Sequence, residues 1–105
     1  MHIVALRNLE AFWRQSGHRD AEGPLKAWLA EARSAQWNSP QDVKNQYASA
    51  SVLGNNRVVF NIKGNDYRLI VAIAYQMQYV YVKFIGTHAE YDKVNAAVVD
   101  QFNGA

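Results

Sequence analysis

The residues best suited to chemistry lie late in the chain, in the segment from Thr87 to Asp92. Thr87 and Glu90 have the spacing of a capping box, which predicts a short helix beginning at His88. His88 and Tyr91 are three residues apart, so they would share one side of that helix. We therefore expect an imidazole and a phenol to lie together at the start of a helix.

Two cationic side chains, Arg68 and Lys83, are expected close to this segment, because the strands that carry them lead into it. A helix N-terminus and neighbouring cations both disfavour a protonated imidazole. We therefore expect His88 to be neutral and able to act as a base at neutral pH.

These residue types match the needs of metal-free RNA cleavage, in which the ribose 2′-hydroxyl attacks the adjacent phosphate. The site must orient that attack, move two protons and stabilise a more negative phosphorane. Arg68 and Lys83 could stabilise the charge, and His88 and Tyr91 could exchange protons. Tyr81 could hold a splayed base by stacking. The same side chains also fit a plain binding surface, so their types leave both readings open.

Other chemistries lack support in the sequence. The chain has no cysteine, which excludes a disulfide framework and any thiolate metal site. It has no HExxH motif and no cluster of acids, so no metal or other cofactor is expected. Phosphate-loop and nucleophile-elbow motifs are also absent from the sequence. The two remaining histidines, His2 and His18, are interpreted as incidental.

The bulk composition indicates one globular domain over residues 1–105, with 50% hydrophobic and 19% charged residues. No apolar run approaches a membrane span and no secretory leader opens the chain, so a cytoplasmic protein is expected. The net charge is only +2, but residues 44–88 hold five basic residues and one acid, about +4. That segment fits either a surface for a polyanion or an ordinary solvated sheet face.

The first half of the chain predicts a strand followed by helices. Residues 2–4 are typical of a short strand, and two apolar stripes at helical spacing then predict a helical hairpin. Pro24 suits the first turn of the second helix, and Ser39 followed by Pro40 suits the start of a third. Trp37 is expected to fill the core beside that loop. The two stripes consist of Leu6, Leu9, Phe12 and Trp13, and of Leu25, Trp28, Leu29 and Ala32.

The second half predicts three antiparallel strands, over residues 57–63, 66–75 and 79–85. A two-residue turn at Gly64 and Asn65, both tolerant of positive φ, would place Asn61 opposite Arg68. A second turn centred between Met77 and Gln78 would place Lys83 opposite Ala72 and Val82 opposite Ile73.

This register divides the strands into two faces. The apolar face, which the helices should cover, collects Val58, Phe60, Ile62, Tyr67, Leu69, Val71, Ile73, Tyr75, Val80, Val82 and Phe84. The other face should be open, and it collects Arg57, Asn61, Lys63, Arg68, Tyr79, Tyr81 and Lys83 beside Val59, Ile70, Ala72 and Ala74. The expected fold is therefore an α+β two-layer domain.

Two blocks of the sequence, RVVFNIKGNDYRL at residues 57–69 and THAEYD at residues 87–92, resemble the HigB toxin family. The first half is similar to that family as well, at residues 25–28 and 35–37. The resemblance implies a RelE-like two-layer domain, with an N-terminal strand and helical hairpin packed on a three- to four-stranded antiparallel sheet.

The resemblance also implies a function, namely that of the toxin in a type II toxin–antitoxin system. Such a toxin would be a ribosome-dependent endoribonuclease that cleaves mRNA in the ribosomal A site. Its implied partners are mRNA, the ribosome and a HigA-type helix-turn-helix antitoxin, with no membrane. The family pattern carries over as catalytic to Arg68, Lys83, His88 and Tyr91, and the expected RNA-binding residues are Arg57, Asn61, Lys63 and Tyr81.

Two alternatives stay open at this point. The RelE-like fold is shared with ParE-like toxins, which bind and inhibit DNA gyrase without RNA chemistry. A degenerate toxin that only binds RNA or sequesters an antitoxin is the other alternative.

Overall fold

A computed structural model describes residues 1–102 of the chain, and in it five strands form one mixed sheet. The elements are β1 His2–Val4, α1 Leu6–Trp13, a 3₁₀ turn Arg19–Ala21, α2 Glu22–Ser34, α3 Pro40–Gln46, β2 Ser51–Val52, β3 Arg57–Ile62, β4 Tyr67–Ala74, β5 Tyr79–Thr87 and α4 His88–Tyr91. Residues 103–105 of the expected domain lie outside the described residues.

The strand order is β1-β5-β4-β3-β2, which differs in two ways from the expected antiparallel sheet of three or four strands. Strand β1 joins at one edge and pairs with β5 in parallel. The helices after β1 carry the chain to the opposite edge of the sheet, and β2 to β5 then return strand by strand until β5 lies beside β1. Strand β2 forms the other edge. It consists only of Ser51 and Val52, and two residues are too few to show the alternating pattern by which a strand is predicted.

The helices form where the apolar spacing and the capping residues predict them. Leu9, Phe12 and Trp13 of α1 are buried, as is the predicted stripe of α2 from Leu25 to Ala32. Helix α3 begins after Ser39, whose hydroxyl accepts the Asp42 N–H at 3.3 Å. No helix within residues 1–102 is long and apolar enough to cross a membrane.

The hairpin of β3 and β4 has the predicted register, with Asn61 opposite Arg68. Its turn differs in detail, because the residues with positive φ are Lys63 (52°) and Gly64 (62°) rather than Gly64 and Asn65. The alternation of apolar and polar side chains along the strands determines the register of this hairpin. The same register is therefore reached although the residues with positive φ lie one position earlier than predicted.

The register between β4 and β5 was predicted wrongly. Tyr81, not Lys83, lies opposite Ala72, and a β-bulge then inserts Lys83 as an extra residue. After the bulge Phe84 lies opposite Ile70, so its side chain belongs to the face away from the helices. A bulge of one residue changes the face of everything beyond it, and the local alternation of the sequence does not reveal the insertion.

The main core lies between the helices and one face of the sheet. This core contains the predicted core positions of the three long strands, with two exceptions. Ile85 takes the place of Phe84, and Tyr75 is only partly buried and packs against the outside of the core. Trp37 is 2% exposed and its ring stacks near Phe60, so the predicted core plug is confirmed.

The opposite face is not open as expected. Its centre holds a second buried cluster of Val59, Ile70 and Phe84. Tyr91 and the chain that follows α4 cover this cluster, with Val94, Ala96 and Val99 packed against it. The sequence after Asp92 has no regular period, so its return across the sheet was not predictable from a pattern.

Candidate active site

Helix α4 begins where β4 starts and β5 ends, because Tyr67 pairs with Thr87. The His88 N–H donates to the Asp66 carbonyl at 3.1 Å, which ties the helix to the β3–β4 turn. The Thr87 hydroxyl accepts the Glu90 N–H at 3.2 Å, and the Glu90 carboxylate accepts the Thr87 N–H at 2.8 Å. Both halves of the predicted capping box are therefore present, and the predicted helix start is confirmed.

Gly86 allows this strand-to-helix corner to close. A Cβ on Gly86 would lie 2.7 Å from Phe84 Cζ and 3.0 Å from Glu90 Oε1. Phe84 is 3% exposed and is held in the second cluster. A residue without a side chain is thus needed between the buried ring and the capping carboxylate.

The structure brings Arg68 and Tyr91 together as the sequence suggested. The Arg68 guanidinium carbon lies 5.7 Å from the centre of the Tyr91 ring, a cation–π distance. The guanidinium also donates to the Asn65 carbonyl at 3.2 Å and to Asn65 Oδ1 at 3.4 Å. The β3–β4 turn and the α4 ring therefore hold this cation between them.

His88 lies on the same helix, with half of its side chain exposed (50%). Its Nδ1 atom is 3.3 Å from Asp92 Oδ2, within ion-pair distance. A carboxylate beside Nδ1 leaves Nε2 as the nitrogen that can exchange a proton with a substrate. The neutral state of His88 stays a prediction, and the structure adds an acid to its surroundings.

We call the group of Arg68, His88, Tyr91 and Asp92 the α4 corner. The sequence prediction includes no role for Asp92, although its spacing of four residues from His88 on a helix could have identified it. The corner combines a cation, two groups able to exchange protons, and a carboxylate next to the imidazole.

Lys83 makes its contacts elsewhere. Its ammonium lies 3.0 Å from Asp100, and only 24% of its side chain is exposed. It also lies 5.9 Å from the centre of the Tyr81 ring. The bulge therefore places Lys83 along β5 beside the C-terminal segment, and the cation found in the α4 corner is Arg68.

The four predicted RNA-binding residues have different surroundings. Arg57 is 8% exposed, and its guanidinium donates to the carbonyls of Ala96 (3.3 Å) and Val99 (2.5 Å). Asn61 is half-buried beside Arg68, and Tyr81 is partly exposed. Arg57 thus holds the C-terminal segment onto the sheet, whereas Asn61 and Tyr81 keep surface for a ligand.

Lys63 belongs to a polar clamp near the corner. Its ammonium lies 2.9 Å from Asp20 and 3.1 Å from Asp66, and the Tyr67 hydroxyl also donates to Asp20. The Tyr67 hydrogen bond and then the Lys63 ammonium lower the pKa of Asp20 below its usual 3.8. The same hydrogen bond, with burial, raises the pKa of Tyr67 to about 12. This clamp ties the 3₁₀ turn to the β3–β4 hairpin.

Among residues 1–102, no three His, Cys, Asp or Glu side chains converge to hold a metal ion. The chemistry that the α4 corner can support with its own side chains is proton exchange beside a cation.

A comparison with models of protein families gives a match over most of the chain. A family model described as HigB_toxin, the RelE-like toxic component of a toxin–antitoxin system, matches residues 21–94. The matched range contains every residue of the α4 corner and begins after α1. A search among curated proteins finds no match.

Proposed function

The chain belongs to the HigB family of RelE-like toxins of toxin–antitoxin systems, and on that premise we propose that it is an endoribonuclease that cuts mRNA on the translating ribosome. The observation that carries the proposal is the α4 corner, where the Arg68 guanidinium faces the Tyr91 ring one turn from a half-exposed His88. A cation beside two proton-exchanging groups is what phosphodiester cleavage by an internal 2′-hydroxyl requires.

The proposed reaction needs no group beyond the RNA and these side chains. The ribose 2′-oxygen forms a bond to phosphorus and the bond from phosphorus to the 5′-oxygen breaks, leaving a 2′,3′-cyclic phosphate and a 5′-hydroxyl. Of His88 and Tyr91, one accepts the proton of the 2′-hydroxyl and the other supplies a proton to the 5′-oxygen. Arg68 stabilises the charge added to the phosphorane.

Lys83 stays in the proposal as a second cation for the RNA. Reaching a phosphate in the α4 corner would require its ion pair with Asp100 to open, since the two lie 3.0 Å apart. We therefore assign Arg68 the contact with the reacting phosphate and Lys83 a contact along β5. Asn61, half-buried next to Arg68, is proposed to contact the neighbouring nucleotide.

A component of a toxin–antitoxin system has an antitoxin partner. We propose that this partner is a HigA-type protein with a helix-turn-helix. Because the proposed substrate is mRNA on the ribosome, the proposed place of action is the cytoplasm.

The test is induced expression in a bacterial host, followed by mapping of the 5′ ends of total mRNA. Wild type is compared with His88→Ala and Arg68→Ala, and Arg7→Ala serves as a matched control because Arg7 is an exposed arginine on α1. Wild type and the control should give cuts inside translated regions. General acid–base catalysis contributes about 10²–10⁴ in rate, and one group that stabilises transition-state charge contributes about 10²–10³. The two corner variants should therefore each reduce the cuts at least about 100-fold.

Circular dichroism shows whether each variant is folded, and exposure of the His88 side chain makes folding of His88→Ala the expected result. Cuts that persist in a folded His88→Ala variant would remove His88 from the reaction. Growth arrest and blocked replication with intact mRNA would refute the proposal in favour of gyrase inhibition.

A further inference from the structure

Three aromatic rings form a row along the edge of the sheet opposite the helices. Parallel pairing of β1 with β5 places His2 beside Tyr79, with ring centres 4.9 Å apart. The next ring on that face of β5 is Tyr81, whose centre is 6.0 Å from that of Tyr79. We call His2, Tyr79 and Tyr81 the aromatic row.

Packing does not account for this row. Among residues 1–102, neither of the two apolar clusters includes any of its rings. His2 is exposed and both tyrosines are partly exposed. Tyr79 lies opposite Ala74 and Tyr81 opposite Ala72, so small side chains flank the two rings on β4. Flat apolar faces are therefore accessible to a planar group.

A cavity of about 290 Å³ lies at the β4–β5 turn, and one of its lining residues is Ala74, which lies opposite Tyr79. Its lining includes Ala74, the exposed Met77 and two side-chain amides, from Asn56 and Gln76. Amides both donate and accept hydrogen bonds, which suits them to the edges of nucleobases. At the other end of the row, the Lys83 ammonium lies 5.9 Å from the centre of the Tyr81 ring.

We propose that the aromatic row is a stacking platform for the bases of single-stranded RNA, with Asn56 and Gln76 contacting a base edge in the cavity. Proteins bind single strands by combining aromatic faces for the bases with a nearby cation for the backbone. The row supplies the faces, and the Lys83 ammonium beside Tyr81 is the nearby cation, which would exchange its ion pair with Asp100 at 3.0 Å for a phosphate.

This inference rests on the proposed function, because it takes the substrate to be RNA. Arg68 and Ala74 lie on the same face of β4, six residues apart, which is roughly 20 Å at the rise of a strand. The platform would thus hold the RNA strand at a distance from the α4 corner, with the segment after α4 lying between them. It would add affinity without touching the reacting phosphate.

The test is binding of a labelled 12-nucleotide RNA with 2′-O-methyl sugars, which cannot be cleaved because the attacking hydroxyl is blocked. The full chain is used without an N-terminal tag, since His2 belongs to the row. Tyr79→Ala removes one ring on which a base can stack. We therefore expect this variant to bind the RNA about 5- to 150-fold more weakly than wild type. Tyr79→Phe is the matched control, because it keeps the ring and should bind like wild type.

The dependence of affinity on salt separates stacking from charge. Tyr79→Ala should lower affinity at every salt concentration with an unchanged slope, because no phosphate contact is lost. An adenine-rich probe should bind more tightly than a uracil-rich one in wild type, and that difference should shrink in Tyr79→Ala.

An affinity of Tyr79→Ala within about twofold of wild type would overturn the proposal, as would a Phe variant as weak as the Ala variant. If mRNA mapping shows cuts while RNA binding is unaffected by Tyr79→Ala, the platform fails and the proposed nuclease stands. If mapping shows no cuts while Tyr79→Ala still weakens binding, the nuclease fails and the platform stands.

Discussion

Replacing Gly86 with alanine perturbs the point where β5 turns into α4. The added Cβ would lie 2.7 Å from Phe84 Cζ and 3.1 Å from Phe84 Cε1. Attractive contacts between carbon atoms lie at about 3.5–4.0 Å, so the closest approach is short by roughly 0.8 Å or more. Phe84 is 3% exposed, so the ring cannot move aside into solvent.

The cost follows from these contacts. Overpacking a filled site destabilises a protein by about 1–3 kcal/mol. The same Cβ lies 3.0 Å from Glu90 Oε1, which accepts the Thr87 N–H, and loss of a helix cap costs about 0.5–2 kcal/mol. We expect Gly86→Ala to lower the free energy of unfolding by about 2–4 kcal/mol, a large share of the ~5–15 kcal/mol typical of a domain.

Urea unfolding measured by tryptophan fluorescence tests this value. Gly54→Ala is the matched control, because a Cβ there meets nothing within 4 Å, and its stability should be unchanged or slightly raised. Phe84→Leu removes Cζ and Cε1, the ring atoms that the new Cβ would meet. The double variant should therefore lose at least about 1 kcal/mol less free energy of unfolding than the sum of the losses of the two single variants. A Gly86→Ala variant as stable as Gly54→Ala would refute the reasoning. The probes are the buried residues Trp13, Trp28 and Trp37.

Two further predictions concern buried and paired charges. Arg57→Met should lower the free energy of unfolding by about 1–3 kcal/mol in urea unfolding, because the carbonyls of Ala96 and Val99 lose their donor. Wild-type stability with weakened RNA binding would instead make Arg57 an RNA contact. The pKa of Asp20 is lowered by Tyr67 and Lys63, so its contribution is present above the usual pKa of 3.8 and is lost as pH falls through the lowered value. Urea unfolding between about pH 5 and 2 should show a smaller loss of stability for Asp20→Asn than for wild type, and equal losses would contradict the role given to this carboxylate.

The local part of the α4 corner was predictable from the sequence. Thr87 and Glu90 interact within one turn of helix, so their spacing alone determines where α4 begins. The β3–β4 hairpin is equally local, and its side-chain period places Asn61 opposite Arg68. Whether the corner residues catalyse RNA cleavage stays a prediction.

Features that depend on distant parts of the chain were not predictable in the same way. The bulge at Lys83 changes the face of Phe84, whose ring then packs with Val59 and Ile70 under the segment after α4. The pairing of His2 with Tyr79 depends on the path of the helical hairpin, and it creates the aromatic row.

The arginines Arg57 and Arg68 show most clearly which features the sequence determines and which the tertiary structure decides. The sequence by itself determined the α+β class, the helices, the apolar faces of β3 and β4 and the start of α4, because periodicity and capping act over a few residues. Only the tertiary structure decided that Arg57 is buried under Ala96 and Val99 while Arg68 meets the Tyr91 ring. Two arginines on one face of a hairpin look alike in sequence, and the segment that returns over the sheet covers one of them and leaves the other partly exposed.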